Sequence, residues 1–271
     1  MQYLTFDVKN KGSQDYAALH VYLLDDSKSI TIDTRPMIVV CPGGGYRMTS
    51  DREAEIIAMQ YLAMGYHAAV LRYSVAPARF PAACMELGKS VAIIREHAAE
   101  WFVNPKQIVV SGFSAGGHLA ASYCTFWNKD WMAEGLGVET ETLKPDAAIL
   151  AYPVITSGEF AHKGSFNNLL GEECEAKKAE VSLENCVGAQ VPRTFIWHTY
   201  EDGSVPVQNS LLYVDALVKN HIPVEFHLFE KGAHGLSLAN RLTNSTKTMS
   251  SAAWMDLVHR WMEDWIESQE A

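Results

Sequence analysis

Short apolar runs recur along the chain, and each is the length of a strand. Residues 16–24 (YAALHVYLL) alternate enough for a half-buried strand. Residues 35–41 (RPMIVVC) are continuously apolar, as expected of a strand covered on both faces. Similar runs follow at 67–73 (HAAVLRY), 107–111 (QIVVS), 146–155 (DAAILAYPVI), 193–199 (RTFIWHT) and 224–229 (VEFHLF). Between them lie stretches with helical character. Residues 51–64 are closed by Gly65, 81–101 are long and amphipathic, and 115–126 carry small residues. A helix over 206–219 has Ser204 as its expected N-cap and Pro206 in its first turn. Residues 251–267 close the chain as a tryptophan-rich helix. This alternation predicts an α/β fold: a mostly parallel central sheet with helices on both faces.

One stretch breaks the pattern. Residues 156–191 have little strand character and contain Gly158, Gly164, Gly171 and Gly188. They are too short to be an independent domain and are read as a short insert beside the functional site. The chain, 1–271, is therefore expected to be a single domain without a large cap domain.

Composition narrows the function. With 48% hydrophobic residues the chain can bury a sizeable core. Its net charge of −10 disfavours a nucleic-acid partner or an anionic membrane surface, because both need clustered Lys and Arg. No apolar run reaches the roughly 18 residues of a membrane span. The five cysteines, Cys41, Cys84, Cys124, Cys174 and Cys186, are odd in number and contain no C-x-x-C pair. That usage, with no secretory signal at the N-terminus, points to a reducing, cytoplasmic setting. The histidines are too scattered for a metal site, and no cofactor is expected. Trp254, Trp261 and Trp265 on the last helix are readable either as core or as the face of a homodimer.

Candidate chemistry lies just after the strands, where open α/β sheets place their ligands. After QIVVS comes GFSAGG, in which Ser114 stands between Gly112 and Gly116. This spacing fits the nucleophile elbow, a strand-to-helix bend too tight for large neighbours. After RPMIVV comes the glycine strip Gly43, Gly44 and Gly45. After RTFIWHT comes Asp202, and after VEFHLF comes His234 in a glycine-flanked loop. The order Ser, Asp, His is that of a hydrolase triad. A serine hydroxyl needs a neighbouring base, which His234 supplies. Asp202 would fix the imidazole tautomer and stabilise the imidazolium. The N–H of Ala115 and the glycine strip would hold an oxyanion.

Each assignment has a competitor. Glu201 adjoins Asp202, and Asp215 falls on a solvated helix face. His198 and His227 lie within apolar strands and read as structural histidines, and His118 reads as packing on the helix after the elbow. Cys41 reads as a small buried apolar group. Arg72 and Arg79 are either binders of a substrate anion or structural partners of Glu86 and nearby carbonyls.

These motifs together resemble the α/β-hydrolase superfamily, in particular small bacterial esterases of the acetyl-xylan-esterase and feruloyl-esterase-like type. The resemblance spans roughly residues 35–238 and rests on PGGGY at 42–46, LRYSVAP at 71–77, FPAA at 80–83, GFSAGGHLA at 112–120, DGSVP at 202–206 and HGLSLA at 234–239. It implies an α/β-hydrolase fold, a triad of Ser114, Asp202 and His234, and an oxyanion hole of Gly44, Gly45 and Ala115. Many relatives begin the glycine strip with His-Gly, where this chain has Cys41-Pro42, and this leaves the choice between Gly44 and Gly45 open.

The expected function is a serine carboxylesterase acting on a small-molecule ester, with an acetylated sugar or xylo-oligosaccharide as the substrate type. Residues 156–191 show no apolar helix to wall a long acyl chain, which favours acetyl-sized groups. Two alternatives stand beside this. One is a prolyl-oligopeptidase-like peptidase, disfavoured because the chain lacks a propeller domain. The other is a non-catalytic ligand-binding protein on a hydrolase fold, disfavoured by the complete set of triad residues.

Overall fold

The computed structural model describes residues 1–27, 29, 33–244 and 249–270. The core is one eight-stranded sheet: β1 (Gln2–Asp7), β2 (Ala18–Leu23), β3 (Arg35–Cys41), β4 (His67–Arg72), β5 (Val103–Phe113), β6 (Ala147–Ala151), β7 (Arg193–Thr199) and β8 (Val224–Phe229). Their spatial order is β1-β2-β4-β3-β5-β6-β7-β8. β2 pairs antiparallel with both β1 and β4, and from β4 onward all neighbours are parallel. This is the mostly parallel sheet expected.

The apolar runs become strands because both faces of the sheet are covered. Every residue of β3 is buried, and alternate side chains enter opposite layers. Met37, Val39 and Cys41 join the core beneath α2 (Ala82–Glu96), α3 (Ala115–Phe126) and α7 (Gln208–Lys219). Ile38 and Val40 join the core beneath α1 (Glu55–Ala63) and α9 (Trp254–Glu270). The intervening helices are α4 (Asp130–Leu136), α5 (Lys163–Leu170), α6 (Cys174–Lys177) and α8 (Arg241–Asn244).

Several expectations shift. β1 is an addition: it lies at the sheet edge with most of its residues exposed, so its sequence carries little apolar signal. α7 starts at Gln208 rather than at Pro206, and Ser204 does not cap it. The Asp202 carboxylate takes the N–H groups of Ser204 and Val205 instead, and this turn holds 202–205 out of the helix. The stretch 156–191 does contain a helix, α5, whose Phe166, Leu169 and Leu170 enter the core. Trp254, Trp261 and Trp265 are buried within the chain's own core, so they offer no dimer face. Among the described residues no helix is long and apolar enough to cross a membrane.

Candidate active site

Loops that follow the carboxyl ends of β3, β5, β6, β7 and β8 line one cavity of about 550 Å³. Its lining includes Gly44, Gly45, Ser114 and His234. Ser114 sits where β5 ends and α3 begins, with φ 53° and ψ −117°. A non-glycine residue in that region is strained and persists only where its surroundings dictate it. Here its N–H donates to Ala151 O (3.0 Å), and its own carbonyl accepts from Val154 N–H (3.0 Å) and His118 N–H (3.1 Å). The flanking glycines answer to close approach. A Cβ on Gly116 would stand 2.1 Å from Cys41 O, and one on Gly112 would stand 2.2 Å from Gly116 O.

The Ser114 Oγ lies 2.7 Å from His234 Nε2, and His234 Nδ1 lies 2.7 Å from Asp202 Oδ2. Asp202 is 5% exposed and its acceptor sites are all engaged. Oδ1 accepts from the N–H groups of Ser204 and Val205, both at 2.9 Å. Oδ2 also accepts from His198 Nε2 at 3.2 Å. Burial pushes the Asp202 carboxyl up, but hydrogen bonds from His198 and His234 and the neighbouring imidazole charge outweigh it. The group is held well below the usual carboxylate range. It therefore stays ionised and keeps the proton of His234 on Nδ1, which leaves Nε2 as an acceptor toward Ser114.

The competitors lie elsewhere. Glu201 pairs with Lys231 at 2.9 Å and Asp215 with Lys219, both at the surface. His118 is buried, accepting from Tyr46 Oη at Nδ1 and donating from Nε2 to Val181 O. His227 pairs with Glu225. Cys41 is fully buried, and burial pushes its thiol up. Arg72 pairs with Asp51 (2.9 Å) and Glu55 (2.6 Å), while Arg79 donates to Asn168 O. Neither meets Glu86, which accepts from Ser74. His198 is structural in a specific sense: it braces Asp202, accepting from Ser210 Oγ at Nδ1 (2.7 Å) to keep its proton on Nε2.

The glycine strip crosses directly over Ser114. A Cβ on Gly43 would stand 3.0 Å from Ser114 Cβ. The Gly43 N–H is already committed to Glu53 Oε2 at 2.9 Å. The N–H groups of Gly44, Gly45 and Ala115 donate to no acceptor among the described residues. Both Gly44 and Gly45 have positive φ, and a Cβ on Gly44 would strike Met48 O at 2.1 Å.

Sequence reasoning missed the residues that support this arrangement. Glu53 and Tyr152 are buried beside the glycine strip. His162 and Asn168 reach the cavity from the 156–191 stretch. Asn168 Nδ2 donates to Gly45 O at 2.8 Å. His162 Nδ1 accepts from Ser165 Oγ at 2.8 Å, and burial with the neighbouring His234 lowers its pKa, so it is neutral with its proton on Nε2. α5 thus turns its apolar face to the core and its polar face to the site. Met48 is the one large apolar side chain lining the cavity among the described residues.

Comparison with known proteins bears directly on this geometry. Residues 19–217 match the BD-FAE family. The chain belongs to the BD-FAE family. It is 37% identical over 215 residues to endo-1,4-beta-xylanase B of Butyrivibrio fibrisolvens, covering 76% of this chain and 33% of that protein. It is 29% identical to an acetylxylan esterase of Xylanibacter ruminicola, covering 79% of this chain and 45% of the relative. The chain thus spans a third to under a half of the length of these curated relatives. Among solved structures it resembles an acetyl ester-xyloside bifunctional hydrolase from Caldicellulosiruptor lactoaceticus. There the TM-score is 0.79 at 37% identity, covering 92% of this chain and 88% of the other. The α/β-hydrolase fold follows from the sheet and from this likeness together.

Proposed function

We propose that this BD-FAE chain is a serine carboxylesterase that removes short acyl groups from acetylated, xylan-type carbohydrates. The observation that carries the proposal is the continuous hydrogen-bonded chain Ser114–His234–Asp202 at the cavity wall, 2.7 Å at each step. In this reading Ser114 Oγ attacks the ester carbonyl as His234 Nε2 takes its proton. Asp202 stabilises the resulting imidazolium. The negative oxygen of the tetrahedral intermediate faces the N–H groups of Gly44, Gly45 and Ala115. His234 then returns the proton to the leaving alkoxide, and water releases the acyl group by the reverse sequence.

The substrate class is supported by the relatives, a xylanase, an acetylxylan esterase and an acetyl ester-xyloside hydrolase. The polar lining around His162 and Asn168 suits a sugar on the alcohol side. A reducing, cytoplasmic setting is supported by the five cysteines, all of them free thiols. The test is labelling with a fluorophosphonate, together with deacetylation of an acetylated xylo-oligosaccharide. Ser114→Ala should abolish both while leaving the melting temperature within a few degrees. Turnover that survives Ser114→Ala would refute the assignment.

A further inference from the structure

Glu53 has no part in the steps above, yet it is a carboxylate buried to 3% exposure beside them. Removing a carboxylate from water is costly unless its oxygens are matched by donors. Both oxygens are matched, and the partners come from two different loops. Oε2 accepts from the N–H of Gly43, at the start of the glycine strip, at 2.9 Å. Oε1 accepts from the Tyr152 hydroxyl at 2.6 Å. Tyr152 Oη in turn accepts from the N–H of Ser237 at 2.8 Å. Ser237 lies three residues after His234 and is itself tied to the neighbour of Glu53, its hydroxyl donating to Arg52 O. The Tyr152 ring also packs edge-on against the His234 imidazole, with centroids 5.1 Å apart. Tyr152, Ser237 and Ala239 all have positive φ, which marks this corner as held against local backbone preference.

We infer that Glu53 is a positioning residue: through Gly43 N–H and Tyr152 Oη it locks the oxyanion strip and the His234 loop into one rigid frame around Ser114. The inference rests on the serine-esterase reading above. Gly43 is the pivot of this frame. Its N–H is held by Glu53 Oε2, which fixes the peptide planes that follow and so aims the N–H groups of Gly44 and Gly45. A strip free to rock would still admit an ester but would lose its fit to the tetrahedral oxygen, which lies in a different place from the ground-state carbonyl. The effect therefore falls on kcat and not on KM. Loss of one well-placed oxyanion donor lowers kcat by about 10²–10³-fold, which bounds the effect.

The test compares Glu53→Leu, Glu53→Gln and Tyr152→Phe on p-nitrophenyl acetate. Concentrations are normalised to the serine that a fluorophosphonate titrates, so that misfolded protein does not count. Glu53→Leu should lower kcat by about 10²-fold with KM within threefold. The Ki of a trifluoromethyl ketone, which forms the tetrahedral adduct, should rise by the same factor. Glu53→Gln should recover most of the loss, because its amide oxygen can still accept from Gly43 N–H while the Tyr152 hydroxyl rotates. Tyr152→Phe should lower kcat by roughly tenfold with a matching rise in Ki, by freeing the His234 loop alone. Should Glu53→Leu fail to fold, Tyr152→Phe decides. Titrated enzyme with kcat and Ki within threefold of wild type would overturn the inference. Such a result leaves the esterase reading intact, since that stands or falls with Ser114→Ala.

Discussion

Asp202→Asn tests the hydrogen-bond logic of the site most sharply. The substitution preserves shape but replaces one of two acceptor oxygens with an NH₂ group. Which end becomes the amide nitrogen is decided by the partners. The N–H groups of Ser204 and Val205, both 2.9 Å from Oδ1, are backbone and cannot reverse. The remaining oxygen must serve them, so the NH₂ group takes the place of Oδ2 and faces His234 Nδ1 and His198 Nε2. A ring nitrogen facing an NH₂ group must accept, so the His234 proton moves to Nε2. That proton then points at Ser114 Oγ, 2.7 Å away, and the base can no longer take the serine proton. In serine proteases with the same arrangement, this inversion of tautomer lowers kcat about 10⁴-fold. The same factor is expected here, about 5.4 kcal/mol of transition-state stabilisation. The assay is p-nitrophenyl acetate turnover alongside the rate of fluorophosphonate labelling, with Glu201→Gln as the control. Glu201 serves Lys231 and the Gly232 N–H at the surface, so its variant should stay within twofold of wild type. Asp202→Asn within tenfold of wild type, or a severe Glu201→Gln, would refute the reasoning.

Two further outcomes are expected. Burial lowers the His118 pKa to about 4, from an ordinary 6.5 in the unfolded chain. The unfolded state therefore binds the proton first as pH falls, and stability present above pH 6.5 is lost progressively toward pH 4. At pH 5 the loss is about 2 kcal/mol. Urea unfolding at pH 7 and pH 5 should show this decline, and His118→Gln should reduce it by about that amount; an unchanged decline would remove His118 as its cause. The proposed acyl pocket gives the second outcome. With Met48 as the one large apolar side chain of the cavity wall among the described residues, added methylenes find no surface to cover them. The usual gain of ~0.8 kcal/mol per buried methylene is therefore absent. kcat/KM should fall from p-nitrophenyl acetate to the octanoate, and a steady rise along that series would contradict the short-acyl reading.

The three side chains of the proposed triad were legible in the sequence because the fold puts them where sequence is most readable. Ser114, Asp202 and His234 each follow the end of an apolar run, in glycine-rich loops with no packing duty to disguise them. The strands were legible for a related reason: burial on both faces leaves a continuous apolar signature, as in β3. The edge strand β1, mostly exposed, carries no such signature. What the sequence could not carry is the set of partners that hold these side chains in place. Glu53 meets a tyrosine 99 positions away, and that tyrosine meets Ser237 another 85 positions on. His198 looked like any polar residue in a strand until the turn after β7 folded Asp202 back against it. The position of Ser204 shows the same limit. Its local pattern suits a helix cap, but its N–H is claimed by Asp202. Periodicity and motif spacing record what each segment does with its near neighbours and with the core. A buried hydrogen bond between distant loops depends on where the sheet brings their ends together, and only the tertiary structure sets that distance.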